Sequence, residues 1–212
     1  MTAKAPSPQE PRRLRTLAAM LEAGAELLAE RPIDAIPVND IVERAGVAKG
    51  SFFNHFASKD DFADQIVTRI RSRIEARIEA ANRGVSDPCS RLARGLAAYV
   101  DFALAQPRDV YILLRAQPQG SEPSHPMNAG LRADLVAGQA NGDFTFGDLE
   151  TALIFVIGAA QIILATLARR AMSRAEATAL TAGMLDLVLI ALTRDPGRSE
   201  TAAQAAMALI EA

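Results

Sequence analysis

Apolar positions recur every third or fourth residue along most of this chain and nowhere alternate strictly with polar ones, so the pattern predicts helices and no sheet. A first helix begins near Pro11 and runs to about Glu30, with Leu14, Leu17, Ala18, Leu21, Ala25 and Leu28 on one face. Arg31-Pro32 ends it, and Ile33 and Ile36 tuck the connection onto a small core. Two short helices follow, at residues 38–45 and 49–56. The first turns Val38, Ile41, Val42 and Ala45 inward, Gly46 sits at its carboxyl end, and Val47 anchors the turn. The second carries Phe52 and Phe56 inward, and Ser58 then caps a long helix to residue 82 in which Phe62, Ile66, Ile70, Ile74 and Ile78 are spaced by fours.

Arg83-Gly84 breaks the pattern. Asp87-Pro88 opens a helix over 88–105 with Leu92, Leu96, Tyr99 and Ala103 inward, and Gln106-Pro107 precedes a shorter one to about Arg115. Residues 116–130 hold three prolines without periodicity and read as a loop, either disordered or gating a pocket. A polar helix over about 127–140 ends at Asn141-Gly142. Residues 151–168 then carry no charge, a run long enough to cross a bilayer. Thr151, Gln161 and Thr166 interrupt it, Asp148 and Glu150 cap one end, and Arg169 and Arg170 suit the other. Small residues repeat by sevens (Thr151, Gly158, Ala165 and Ala152, Ala159, Thr166), so this stretch, residues 148–170, is read as a buried interface helix and not as a membrane span. The next helix, 174–193, carries Leu180, Met184, Leu187, Val188 and Ala191 on one face. Both are more apolar than one chain's core requires, which predicts a four-helix bundle shared by two copies, a homodimer. Asp195-Pro196-Gly197 ends the pattern, and a short helix from Ser199 follows.

Composition agrees with an all-α globular chain of one or two domains: 212 residues, 50% hydrophobic, 5% aromatic and no Trp. The single cysteine, Cys89, cannot staple one chain, and no signal peptide opens the sequence, so a cytoplasmic location is expected. Charge alone argues against nucleic acid, since residues 1–80 hold twelve Lys/Arg against twelve Asp/Glu and the whole chain carries −2. Placement argues the other way. Lys4, Arg12, Arg13 and Arg15 cluster at the amino terminus, where residues 1–11 are expected to form a disordered arm, and Lys49, His55 and Lys59 lie in or beside the short helices. The cluster is either a solvated tail or an arm that touches phosphate or the minor groove. Arg69, Arg73 and Arg77 form a stripe on the long helix, interleaved with Glu75 and Glu79, and are expected to be a solvated face of ion pairs.

Two short helices crossed over a glycine-containing turn make the helix-turn-helix pattern, whose second helix lies in the major groove of DNA. The run from residue 45 to 62, AGVAKGSFFNHFASKDDF, resembles the signature of the TetR family of bacterial transcription regulators, and the match in order and spacing extends over residues 12–62. The resemblance implies an all-α fold with a helix-turn-helix domain at 12–57, a connecting helix at 58–82, and a ligand-binding and dimerisation domain at 83–212. It further implies a repressor that binds a pseudo-palindromic double-stranded operator as a dimer and leaves it when a small molecule enters the second domain. Asn39, Lys49, Gly50 and Ser51 are expected at base edges and His55, Lys59 and Arg44 at phosphates, with Phe53 and Asn54 completing the DNA-facing surface. Lys59 could equally be a solvated lysine. The chain departs from the family at Pro37, Ala48 and Phe53, where hydroxyl-bearing residues are usual, so its neutral phosphate contacts are expected to be thinned.

The pocket of the second domain would draw on Phe102, Tyr111, Leu114, Phe144, Phe155 and Gln161, an apolar lining that suits a hydrophobic effector. Two histidines and one cysteine are too few for a zinc site, and neither a phosphate loop nor a nucleophile elbow is present, so an enzyme, a metal and a cofactor are not expected. Cys89 lies beside a helix start, which in principle lowers a thiol pKa and leaves a redox sensor open. The other reading of the whole chain is a helical interaction dimer that keeps the fold but has weak or lost operator binding.

Overall fold

The structure is a computed structural model and describes residues 10–116, 123–170, 172–193 and 195–211. Among these all regular structure is helical. Ten α-helices follow in order: α1 Glu10–Glu30, α2 Val38–Arg44, α3 Lys49–Phe53, α4 Lys59–Ala81, α5 Pro88–Ala105, α6 Pro107–Arg115, α7 Ala129–Asn141, α8 Leu149–Arg169, α9 Arg174–Thr193 and α10 Pro196–Glu211. Residues 1–9 of the arm expected at 1–11, with Lys4, and residues 117–122 of the loop expected at 116–130 lie outside the described residues. That loop is shorter than its prolines suggested, because a 3-10 turn at Pro126–Asn128 leads directly into α7.

The chain divides into two compact units. The first takes residues up to Ile70 together with Tyr111–Arg115; the second takes Arg71–Val110 and everything from Ala116 onward. The division falls inside α4, within the stretch expected to connect two domains.

In the first unit, α1 packs on α2 and α2 on α3. The buried face of α1 is Met20, Leu21, Ala23, Gly24, Ala25, Leu27 and Leu28. The apolar stripe drawn from the sequence is displaced at its start, since Leu14 is 60% exposed and Ala18 is exposed. Burial in α1 begins at Met20, and its closest approach to α4 is at Gly24, where a Cβ would lie 2.1 Å from Phe62 Cζ. The missing side chain is what admits the Phe62 ring.

In the second unit, α5 is central. It packs against α7, α8, α9 and α10 and buries residues around its whole circumference, more than the single face of Leu92, Leu96, Tyr99 and Ala103 expected of it. Asp87 caps it by accepting the Ser90 N–H at 2.7 Å, with Pro88 in the first turn. Asp195-Pro196-Gly197 does not merely end α9. Asp195 accepts the N–H groups of Gly197 and Arg198 at 3.1 and 3.2 Å, so α10 begins at Pro196, earlier than Ser199.

By length and composition α8 and α9 could each cross a membrane. Within this unit α8 turns Ala152, Leu153, Val156, Ile157, Ala159, Ile163 and Leu164 into the core, and α9 turns in Ala177, Thr181, Leu185, Val188, Leu189 and Leu192. Of the α9 face named from the sequence only Val188 is buried, and Leu187 is 65% exposed. Ile154, Phe155 and Ile162 are likewise exposed on α8.

Candidate nucleic-acid interface

Phe52, Phe56 and Phe62 form the centre of the first unit, with ring centroids 5.1, 5.3 and 4.7 Å apart and none more than 2% exposed. Tilted and edge-on aromatic packing of this kind fixes the orientation of α3 relative to α4. The turn between α2 and α3 is closed by Gly46 at φ 65° and by the Val47 N–H on the Val42 carbonyl at 2.9 Å, although Val47 itself is only half-buried. After five residues α3 stops: the N–H groups of His55 and Phe56 both bond the Phe52 carbonyl. The expected helix to residue 56 is thus cut short by the turn that swings Phe56 onto Phe62.

Neither short helix has a side-chain cap. Pro37 precedes α2 and Ala48 precedes α3, both in extended backbone, and neither side chain can accept the free N–H groups. Ser58, by contrast, accepts the Asp61 N–H at 3.0 Å while Asp61 accepts the Ala57 N–H at 2.8 Å, a reciprocal pair that starts α4.

The outward surface carries Asn39 on α2 and Lys49, Gly50, Phe53 and Asn54 on or beside α3, all exposed, with Ser51 and His55 half-buried. Nothing lies within 4 Å of where a Gly50 Cβ would stand. Burial, and then the charge of Arg13, hold the His55 pKa below its ordinary value. Arg13 is therefore electrostatically within reach of the same surface.

Two of the residues expected at phosphates have partners inside the unit. Lys59 Nζ donates to the carbonyls of Ile33, Asp34 and Ile36 at 3.1, 3.2 and 3.2 Å. Its three protons are all engaged, and it closes the 3-10 turn Ile33–Ala35 against the start of α4. Arg44 bonds Glu26 at 3.0 Å, tying α2 to α1, and Arg31 pairs with Asp40 in the same sense. Sequence patterning gave Arg31 no role beyond ending α1 and passed over Gly24, whose signal is a glycine in the interior of an amphipathic helix.

The residues named for an effector pocket differ in exposure. Phe102 is buried with the Arg73 guanidinium 5.4 Å from its ring, and Phe144 is buried over Gly138. Tyr111 is exposed and carries Arg115 over its face, whereas Phe155 lies on the exposed side of α8. Leu114 and Gln161 are half-buried. The sensor reading of Cys89 fails: the thiol is fully buried, and burial first, then the Asp87 carboxylate, push its pKa up to about 11. The Arg stripe on α4 is exposed, as expected of it, but its ion pairs run elsewhere than along the helix. Arg73 bonds buried Asp109 at 2.5 Å and Arg77 pairs with buried Asp101, so their partners lie on α6 and α5 in place of Glu75 and Glu79.

A short helix held by an aromatic core, presented outward after a glycine turn, defines a helix-turn-helix protein. Residues 20–66 match the profile of the bacterial regulatory proteins of the tetR family. The match takes in the second half of α1, the two short helices and the start of α4. Over 51 residues the chain is 45% identical to the uncharacterized HTH-type transcriptional regulator YwcC of Bacillus subtilis, a match that covers 24% of this chain and 23% of that one. Over 48 residues it is 42% identical to the HTH-type transcriptional repressor KstR2 of Mycobacterium tuberculosis, covering 23% and 24% respectively. The likeness to these relatives thus spans about a quarter of their length. In fold it extends further. A solved tetR family transcription regulator from Shewanella sp. PV-4 superposes with a TM-score of 0.74 at 18% identity, covering 84% of this chain and 97% of that one. The solved ketosteroid transcriptional regulator KstR2 superposes at 0.62 with 23% identity, covering 84% and 95%.

Proposed function

We propose that the protein is a dimeric, sequence-specific DNA-binding transcription regulator, a repressor that leaves a pseudo-palindromic operator when a small hydrophobic ligand binds its second unit. The observation that carries this reading is α3: Lys49, Gly50, Phe53 and Asn54 are all exposed around a helix whose inner side, Phe52, is fully buried. A rigid helix with a free polar face and a glycine that lets the backbone approach suits the major groove. Asn39, Lys49 and Ser51 act at base edges, and Asn54, His55 and Arg13 orient the domain through phosphates. Lys59 and Arg44 support the domain from inside.

Dimerisation through α8 and α9 is supported by Ile154, Phe155, Ile162 and Leu187, large apolar residues exposed on the two helices. Two copies related by a two-fold axis read half-sites about 34 Å apart. That the ligand is apolar is supported by the ketosteroid regulator among the structures of this fold. The uncapped starts of α2 and α3 favour a weaker variant of the reading, in which the dimer keeps its fold and has lost its operator.

Selection of the purified protein against a random duplex pool, beside a Lys49→Ala, His55→Ala double variant, decides between them. Enrichment of a pseudo-palindrome by the parent and its loss in the variant supports the regulator. Recovery of unenriched sequence by the parent at low salt supports the interaction dimer.

A further inference from the structure

Phe53 stands 61% exposed on the same helix whose neighbouring Phe52 is fully buried. Its ring lies edge-on to Phe52 with centroids 5.4 Å apart and an interplanar angle of 80°. One turn earlier on the same side are Lys49 and Gly50, and the space where a Gly50 Cβ would stand is open. A flat apolar ring therefore packs edge-on against the core beside a gap in the helix surface, with Lys49 four residues earlier on the same helix. The side chain has no donor or acceptor for a phosphate. What it can meet in a major groove is the one apolar group displayed there, the C5-methyl of thymine.

We propose that Phe53 is a specificity-determining residue that reads a thymine methyl in each half-site. The proposal rests on the regulator reading. An apolar contact to a base takes the place of the hydroxyl-to-phosphate bond that Phe53 cannot make, and the Gly50 gap lets the ring and the Lys49 ammonium reach adjacent base pairs.

The test uses the enriched duplex, with thymines replaced by uracil one symmetric pair at a time. Loss of a single buried methyl is expected to weaken the parent about fourfold at one pair, the factor that corresponds to ~0.8 kcal/mol. Phe53→Ala is expected to bind more weakly overall and to bind the thymine and uracil duplexes equally at that pair, while Phe53→Leu, which keeps an apolar tip, retains part of the difference. Thermal melting of each variant guards against misfolding. A parent that binds the fully uracil-substituted operator as tightly as the thymine form overturns the contact and leaves the regulator reading standing. Failure to enrich any duplex defeats the regulator reading and this contact with it.

Discussion

Lys59 is a cation whose donors are all engaged by carbonyls at 3.1–3.2 Å, and this makes it separable from Lys49 by experiment. Lys59→Met is expected to destabilise the first unit by about 1.5–3 kcal/mol in denaturant titration, the range for hydrogen bonds to a charged group, and to leave the salt slope of DNA binding unchanged. Lys49→Ala should do the reverse, preserving stability while changing affinity and sequence preference. A lowered salt slope for Lys59→Met under folded conditions would show that its ammonium does meet a phosphate. His55 gives a pH test. Its folded pKa lies below the ordinary 6.5 through burial and then Arg13, so the unfolded chain takes up the proton first. The stability contributed by the neutral imidazole is complete above about pH 6.5 and is lost as pH falls towards the folded pKa. An NMR titration of the free protein should show a midpoint below 6.5 that rises in Arg13→Gln; a midpoint at or above 6.5 contradicts the placement. Cys89, at about pKa 11 and fully buried, should resist alkylation at pH 8 in the native state and react readily once the chain is unfolded.

At the scale of elements, α4 is one uninterrupted helix across the division between the units, and its second half is anchored by charge. Asp101 on α5 accepts from Arg77 on α4 and from Arg174 at the start of α9, the latter at 3.2 Å, while Arg174 also donates to the Ile210 carbonyl near the end of α10. Removing either arginine leaves the buried carboxylate one partner; removing both leaves none. Arg77→Ala and Arg174→Ala are therefore each expected to cost about 1 kcal/mol, and the pair to cost more than the sum, in equilibrium unfolding. Strict additivity would mean that Asp101 is solvated. None of this network was legible in the sequence, because partners separated by 24 and 73 positions leave no local pattern. What was legible has local causes. Helix periodicity, Asp87-Pro88, Ser58 and the Gly46 turn each act within a few residues, and all recur in the structure. The surface of α3 could be read for the same reason. Lys59 and Arg44 were expected at phosphates from charge, position and, for Lys59, the family resemblance, and the structure gives both a partner from elsewhere in the unit. Extended burial around α5 and the displaced face of α1 also depend on which neighbours arrive, which periodicity within one helix does not encode.

For the whole molecule, an exposed apolar face on α8 and α9 and a short reading helix are parts of one device only if two copies meet. Charging that face tests the link: Ile162→Glu with Leu187→Glu is expected to give a monomer by light scattering and to weaken operator binding by at least tenfold, since each half-site must then be held independently. A dimer that survives both substitutions places the interface elsewhere. The most direct measurement for the account as a whole is the mass of the complex formed on the enriched duplex and on a duplex carrying one half-site, by sedimentation velocity. Two chains on the full site, bound far more tightly than any chain on the half-site, is the predicted result. A single chain bound equally well to both duplexes would contradict it.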